Sequence, residues 1–304
     1  MEIFPQMLIS GASGLVGSAL LNHFAGQSLP CSTLVGHVPE PASSAYFWDP
    51  YHFEFREGMR RLNGIRAAIH LSGDNVSEGR WTQKKKMRIR QSRVSTTQAL
   101  VELLACLEQR PEVLICASAV GYYGNRGEEV LKESAAPGDG FLSQVCQEWE
   151  AAAEAATSLG IRVVYLRFGI VLASAGGALR KMLPVFRLGM GGALGNGRQW
   201  MSWISLPDVV RVVEFCINQP EIQGAVNVVA NPVTNAEFTH TLARHLHRPA
   251  LIPAPATALR LAFGEMADAA LLASARAIPA RLLQAGFVFE HPTLPEAFQS
   301  VLPS

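Results

Sequence analysis

The chain has 304 residues, 49% of them hydrophobic and 17% charged, with a formal net charge of +1. That balance describes a globular chain able to bury a large core, as one large domain or two, and it excludes disorder and fibre. The near-neutral charge argues against nucleic acid or a membrane surface as an electrostatic partner and leaves a small molecule.

No segment has the length and polarity of a membrane span, and the N-terminus lacks a charged region followed by an apolar stretch and a cleavage site, so the chain reads as cytoplasmic. The five cysteines, Cys31, Cys106, Cys116, Cys146 and Cys216, are odd in number and contain no CxxC pair, which suggests neither a disulfide framework nor a zinc site. His240 and His245 stand five apart and do not share a ligand face, so with His247 they do not predict a metal centre.

The first apolar strand, Met7 to Ser10, runs into Gly11-Ala12-Ser13-Gly14-Leu15-Val16-Gly17 at the start of a helix. Three spaced glycines there predict a dinucleotide site: Gly11 for a tight turn, Gly14 for approach of backbone to a pyrophosphate, and Gly17 for close packing of helix on strand. A bare strand-turn-helix is the competing reading, and a second strand at Thr33 to Val35 supplies the context that favours the cofactor. A carboxylate at the end of the second strand would accept from the ribose hydroxyls of NAD, but Gly36-His37-Val38 stands there. NADP is therefore favoured over NAD. His37 is the candidate donor to a 2'-phosphate, against a reading in which it is only an exposed loop residue and another group binds the phosphate.

Further strands read at Ala67 to Ser72, Val113 to Ser118 and Val163 to Arg167, with helices at Thr82 to Glu108 and Gln144 to Ser158. Helices of that length suit crossovers between parallel strands, so the fold class is α/β, a Rossmann-type doubly wound parallel sheet. Ligand is expected at the strand C-termini. This makes Leu71, Ser72, Gly73, Arg93, Ser118, Arg167 and Gly169 candidate cofactor residues beside Gly11 to Gly17 and His37. Of the six basic residues Lys84, Lys85, Lys86, Arg88, Arg90 and Arg93, most read as solvated, with one or two near a cofactor phosphate. From about residue 170 the chain becomes loop-rich and glycine-punctuated, then Val226 to Val229 reads as a returning buried strand. The expected division is a dinucleotide-binding domain over 1–170, with that strand returning to it, and a smaller, interleaved substrate domain over 171–304.

Ser118-Ala119-Val120-Gly121-Tyr122-Tyr123-Gly124 resembles the serine-containing loop of the extended short-chain dehydrogenases/reductases, the group that includes sugar-nucleotide epimerases. Arg80-Trp81-Thr82, Ser92-Arg93, Trp149-Glu150, Arg167-Phe168-Gly169-Ile170-Val171-Leu172, Met182 to Gly189, Gly195-Asn196-Gly197-Arg198-Gln199 and Trp203-Ile204 narrow the resemblance. They resemble epimerase-family proteins of the NADP-dependent oxidoreductase type, over nearly the whole chain. The resemblance implies a Rossmann domain with a small C-terminal domain and a nicotinamide cofactor. It does not supply a substrate.

In that superfamily a Tyr and a Lys four residues later form the acid/base pair, with a Ser polarising the substrate oxygen. Aligning Glu150 with the acidic residue that follows the pair puts Leu142 at the Tyr and Cys146 at the Lys. Neither supports ordinary proton transfer, and Cys146 reads as structural. Ser118, Tyr122 and Tyr123 are the candidate replacement, with packing as the competing role of the tyrosines. The Arg that holds a sugar-nucleotide diphosphate falls on Met201, with Arg198 three residues away, which makes a sugar nucleotide doubtful. Phe186, Arg198, Met201 and Trp203 are the candidate substrate residues, and with Trp200 their apolar members suggest a hydrophobic carbonyl or alcohol substrate, against a reading as inter-domain core. Two function classes follow: an NADP-dependent oxidoreductase or epimerase-like enzyme with an atypical site, and a non-catalytic NADP(H)-binding sensor.

Overall fold

The computed structural model describes residues 6–39 and 44–302. Seven strands form one parallel sheet: β1 (Met7–Ser10), β2 (Cys31–Val35), β3 (Ala45–Phe47), β4 (Ala67–His70), β5 (Val113–Ala119), β6 (Arg162–Phe168) and β7 (Gly224–Val228). The helices are α1 (Leu15–Gly26), α2 (Gln83–Ala105), α3 (Phe141–Glu154), α4 (Gly177–Arg187), α5 (Leu206–Asn218), α6 (Asn235–His245), α7 (Ala256–Phe263), α8 (Ala280–Gln284) and α9 (Leu294–Val301).

The spatial order of the strands is β7-β6-β5-β4-β1-β2-β3. The chain builds outward from β1 to one edge, then crosses back and builds from β4 to the other. Connections leaving β1 and β4 diverge, and the crevice between them at the strand C-termini is where an open α/β sheet binds its ligand. In the register, Ile9 of β1 stands beside Thr33 of β2 and Ile69 of β4.

Side chains alternate across the sheet, and both faces are apolar because both are covered by helices. Met7, Ile9, Ile115, Val164 and Leu166 pack with Leu20 and Phe24 of α1 and Val209 and Val213 of α5. Leu8, Leu114, Val163 and Tyr165 face the other way, onto Leu100 and Leu103 of α2 and Trp149 of α3. This is the expected doubly wound sandwich. β3 is absent from the strands expected: it is only three half-buried residues, Ala45 to Phe47, at the sheet edge, shorter than a strand signal requires. α2 begins behind Thr82, whose hydroxyl accepts the Lys85 N–H at 3.2 Å, and α3 begins at Phe141, earlier than the periodicity indicated.

Beyond β6 a separate apolar core gathers Leu179, Leu183 and Phe186 of α4, Trp203, Phe238 and Leu242 of α6, and Phe298 of α9. Between the two regions the chain returns to the sheet, with Val226 of β7 beside Leu166 of β6. Among the described residues no helix is long and apolar enough to cross a membrane.

His70, at the end of β4, is wholly buried and joins three elements: Nδ1 lies 2.5 Å from Ser10 Oγ of β1 and Nε2 3.2 Å from Thr96 Oγ1 of α2. Burial pushes its pKa down to about 3, so the folded protein holds it neutral. The unfolded chain takes up a proton at the ordinary value near ~6.5 and the folded chain does not, so this contribution is complete above that pH and is lost as pH falls towards 3. We expect stability to fall by up to about 1.4 kcal/mol per pH unit below that value through this group alone. The His70→Asn variant, compared by urea unfolding at pH 7 and pH 5, should lose that part of the slope.

Candidate functional site

The turn after β1 is fixed by what surrounds it. Gly11 has φ of +73°, and a Cβ there would lie 2.7 Å from the Leu71 carbonyl carbon and 2.8 Å from the Ser72 nitrogen. The first turn of α1 then passes so close that a Cβ on Gly17 would lie 2.3 Å from the Gly11 oxygen. Gly14 caps the helix with no side chain, and its own N–H donates to Gly11 O at 3.0 Å. An uncapped helix start presents its first-turn amides, with the positive end of the helix dipole, to whatever lies in front of it.

In front lies a cleft of about 570 Å³. Ser13, Gly14, Leu15 and Ser18 form one wall, Gly73 to Val76 with Arg93 a second, and Ala175 to Gly177 a third. Gly176 and Gly177 rest on Leu15, where a Cβ would come within 3.2 Å and 3.4 Å of its methyls. One turn into α4, Lys181 Nζ donates to Ser77 O at 3.0 Å and Ser77 Oγ at 2.7 Å, tying this strap to the second wall. In that wall Asp74 accepts from Lys85 at 2.6 Å and Arg88 at 3.0 Å. Partial burial works to raise the Asp74 pKa, but these two cations hold it below the ordinary carboxylate value. Asp74 and Lys85 carried no sequence signal of this role.

Of the expected cofactor residues, Gly11 to Gly17, Leu71, Ser72, Gly73 and Arg93 therefore come together around the glycine turn and its cleft. His37 lies at the exposed end of β2, beside Gly36 and Val38. Gly169 packs closely on the neighbouring strand, where a Cβ would lie 2.6 Å from Ser202 O.

Ser118 and Arg167 belong to something else. Ser118, 3% exposed, donates its hydroxyl to Glu150 Oε1 at 2.7 Å. Arg167 embraces the same carboxylate, Nε to Oε1 and a terminal nitrogen to Oε2, both at 2.8 Å, and reaches Tyr123 Oη at 2.9 Å. Tyr123 is wholly buried and donates to Asn227 Oδ1 of β7 at 2.7 Å. Burial pushes its phenol above the ordinary value despite the guanidinium beside it, so it stays protonated. Burial also opposes the Arg167 charge, but Glu150 more than compensates and raises it.

The network joins β5, α3, β6 and β7. It engages Ser118 and Arg167 with the Glu150 carboxylate and Tyr123 with Arg167 and Asn227. Glu150, which served only to anchor the alignment, is its hub. Tyr122 is the exception: it is half-buried, its ring 3.5 Å from the Arg167 guanidinium carbon.

The positions of the missing acid/base pair are apolar. A Cβ on Gly121 would touch Leu142 at 3.4 Å and lie 4.0 Å from Cys146 Sγ. Cys146 is buried, and burial pushes its thiol up to about 11, so it is an uncharged structural thiol at neutral pH. Phe141 and Leu142 pack with Trp81, Val145 and Met266, which brings the C-terminal part against α3.

The expected substrate residues do not line a common pocket. Phe186, Met201 and Trp203 are buried in the second core, Trp203 completely. Arg198 is exposed on the turn after Gly197, its N–H held by Asn196 at 3.0 Å.

Residues 7–229 match the NAD dependent epimerase/dehydratase family. The chain belongs to that family. Residues 254–301 match a domain of unknown function, DUF1731. An epimerase family protein of Mycobacterium bovis is 43% identical over 290 residues, 95% of each chain. The human epimerase family protein SDR39U1, crystallised with NADPH, superposes with a TM-score of 0.87 at 30% identity, covering 97% of this chain and 98% of that one. A nucleoside-diphosphate sugar epimerase from Corynebacterium glutamicum gives 0.78 at 34% identity, over 98% of this chain and 58% of that one. The family resemblance of the sequence is thereby borne out.

The Glu150 network makes a stability prediction. Arg167→Met leaves a buried carboxylate unpaired and should cost roughly 3–5 kcal/mol in urea unfolding. Tyr122→Phe should cost less than about 1 kcal/mol, as expected where no hydrogen bond is removed. Equal losses from the two substitutions would contradict the network's placement.

Proposed function

We propose that the chain binds NADPH along the crevice between β1 and β4 and uses it to reduce a hydrophobic carbonyl compound. The observation that carries this is the uncapped start of α1 behind the glycine turn, facing a cleft that side chains at positions 11 and 17 would disrupt. The residues present fit a dinucleotide: first-turn amides of α1 for the pyrophosphate, with Leu71, Ser72, Gly73 and Arg93 along the opposite wall. The human relative crystallised with NADPH supports the phosphorylated cofactor. So does the end of β2, where Gly36, His37 and Val38 bring no carboxylate against a 2'-phosphate and the exposed His37 would donate to one.

Bound NADPH would supply the hydride. This chain's part is to hold the cofactor and give the substrate oxygen a proton. With Leu142 and Cys146 in the usual acid/base positions, Tyr122 is the phenol of the loop not sealed into the Glu150 network. The part of the chain from residue 171 would hold the substrate, and the apolar Leu142 at the usual acid/base position favours an apolar one. The same apolar replacement of the pair favours a second reading, a non-catalytic NADPH sensor.

Titration with NADPH and NADH, followed by nicotinamide fluorescence, should give a dissociation constant at least about tenfold lower for NADPH. Equal or absent binding contradicts the cofactor assignment. Stereospecifically deuterated NADPH, incubated with a carbonyl library, separates the two readings: label transferred to a product supports the enzyme, and tight binding without transfer supports the sensor. With a substrate found, Tyr122→Phe should lower turnover about 10²-fold with little change in cofactor affinity.

A further inference from the structure

The net charge of +1 hides an uneven distribution. Residues 176–206 contain Arg180, Lys181, Arg187 and Arg198 and no Asp or Glu, and residues 238–264 contain Arg244, Arg248 and Arg260 and again none. The fold lays these two segments side by side. Arg248 Nε donates to Arg187 O at 2.9 Å, the Ala254 N–H to Ala193 O at 2.9 Å and the Gly195 N–H to Ala254 O at 2.8 Å. A Cβ on Gly189 would lie 3.3 Å from the Pro249 ring.

Along this seam Leu188 is 71% exposed, Met190 51%, Leu251 83% and Ile252 61%, while Phe186 and Ala250 beside them pack into the second core. The exposure is built into the backbone. The N–H groups of Leu188, Gly189 and Met190 are all taken by carbonyls of α4, and Leu251 and Ile252 stand between Pro249 and Pro253, whose rings fix φ. Arg187, Arg244 and Arg248 border these side chains, all three exposed. Among the described residues none of the three forms an ion pair with a carboxylate. On the two helices packed together here, the carboxylates are Glu237, in the first turn of α6 and about two turns from Arg244, and Glu296, which Thr293 engages at the start of α9.

We propose that this seam docks on the surface of an anionic lipid bilayer, with Leu188, Met190, Leu251 and Ile252 dipping into the headgroup boundary and Arg187, Arg244 and Arg248 on the phosphates. Exposed aliphatic side chains bordered by unpaired cations answer both properties of such a surface, negative at its face and apolar beneath. The near-neutral charge of the whole chain is no obstacle, because attraction to the surface falls off within about 8 Å at physiological ionic strength, and only the nearby charges count. A second copy of the chain fits less well. In a two-fold contact the same patch meets itself, which brings the three arginines against their own copies. The contact is peripheral, reversible and weakened by salt.

The test is co-sedimentation of the full chain with vesicles of phosphatidylcholine alone and of phosphatidylcholine mixed with phosphatidylglycerol, at low and at high salt. We expect partitioning onto the anionic vesicles that is at least about tenfold stronger than onto the neutral ones and falls with salt. Arg187→Gln combined with Arg244→Gln should lower it by more than about tenfold and flatten the salt dependence. Leu251→Ser should lower it by about tenfold and leave the salt dependence in place, which separates insertion from charge alone. These side chains are exposed, and unchanged urea midpoints check that each variant is folded. Equal binding to both vesicles, binding to neither, or binding that the variants leave untouched overturns the proposal. Dimerisation that Leu251→Ser abolishes would assign the seam to a second copy instead, and capture of poly-glutamate in place of vesicles would assign it to an acidic protein.

Discussion

Everything in the cleft depends on one close approach. Gly17 brings the first turn of α1 so near the turn behind β1 that a methyl group would lie 2.3 Å from the Gly11 oxygen, and Gly11 in turn presses on the backbone of Leu71 and Ser72. Three backbone segments converge with no side chain between them. Only then does the uncapped end of α1 face the crevice at short range, where amide donors and the helix dipole act together on an anion. The strap at Gly176 and Gly177 closes onto Leu15 of the same turn, so the C-terminal part is positioned by the glycine turn as well.

A second constraint governs the floor of the site. Glu150 is buried and must be neutralised, which Arg167 does with two hydrogen bonds and Ser118 with a third. A buried ion pair of this kind adds little net stability over an apolar core, but removing either partner is costly, so it fixes the register of α3 on β5 and β6. The consequence is chemical: the Ser118 hydroxyl and the Tyr123 phenol are both engaged in this buried network. Catalysis, if it uses a side-chain acid, has to draw it from Tyr122 or from outside this loop.

The parallel sheet and the glycine turn were legible because each leaves a local signature, an apolar run with helical spacing around it or glycines at fixed offsets. β3 was not, since a three-residue edge strand is too short to tell from a loop by its apolar residues alone. The residues around the glycine turn were legible by topology, because strand ends converge on the crevice whatever their side chains. The directions of Ser118, Tyr123 and Trp203 were not. Strand alternation decides whether a residue at a strand end faces the cleft or the core, and a shift of one position reverses the answer. For Ser118 the deciding fact was Glu150, a residue 32 positions further along the chain.

The cleft fits a nicotinamide dinucleotide with its pyrophosphate on the first turn of α1 and its nicotinamide end towards Leu142 and Cys146. A crystal structure of the protein grown with NADPH tests this most directly. The expected result is pyrophosphate density against the backbone amides of residues 14–16 and nicotinamide density towards Leu142 and Cys146. Cofactor density elsewhere, or an empty glycine turn at saturating NADPH, would contradict it.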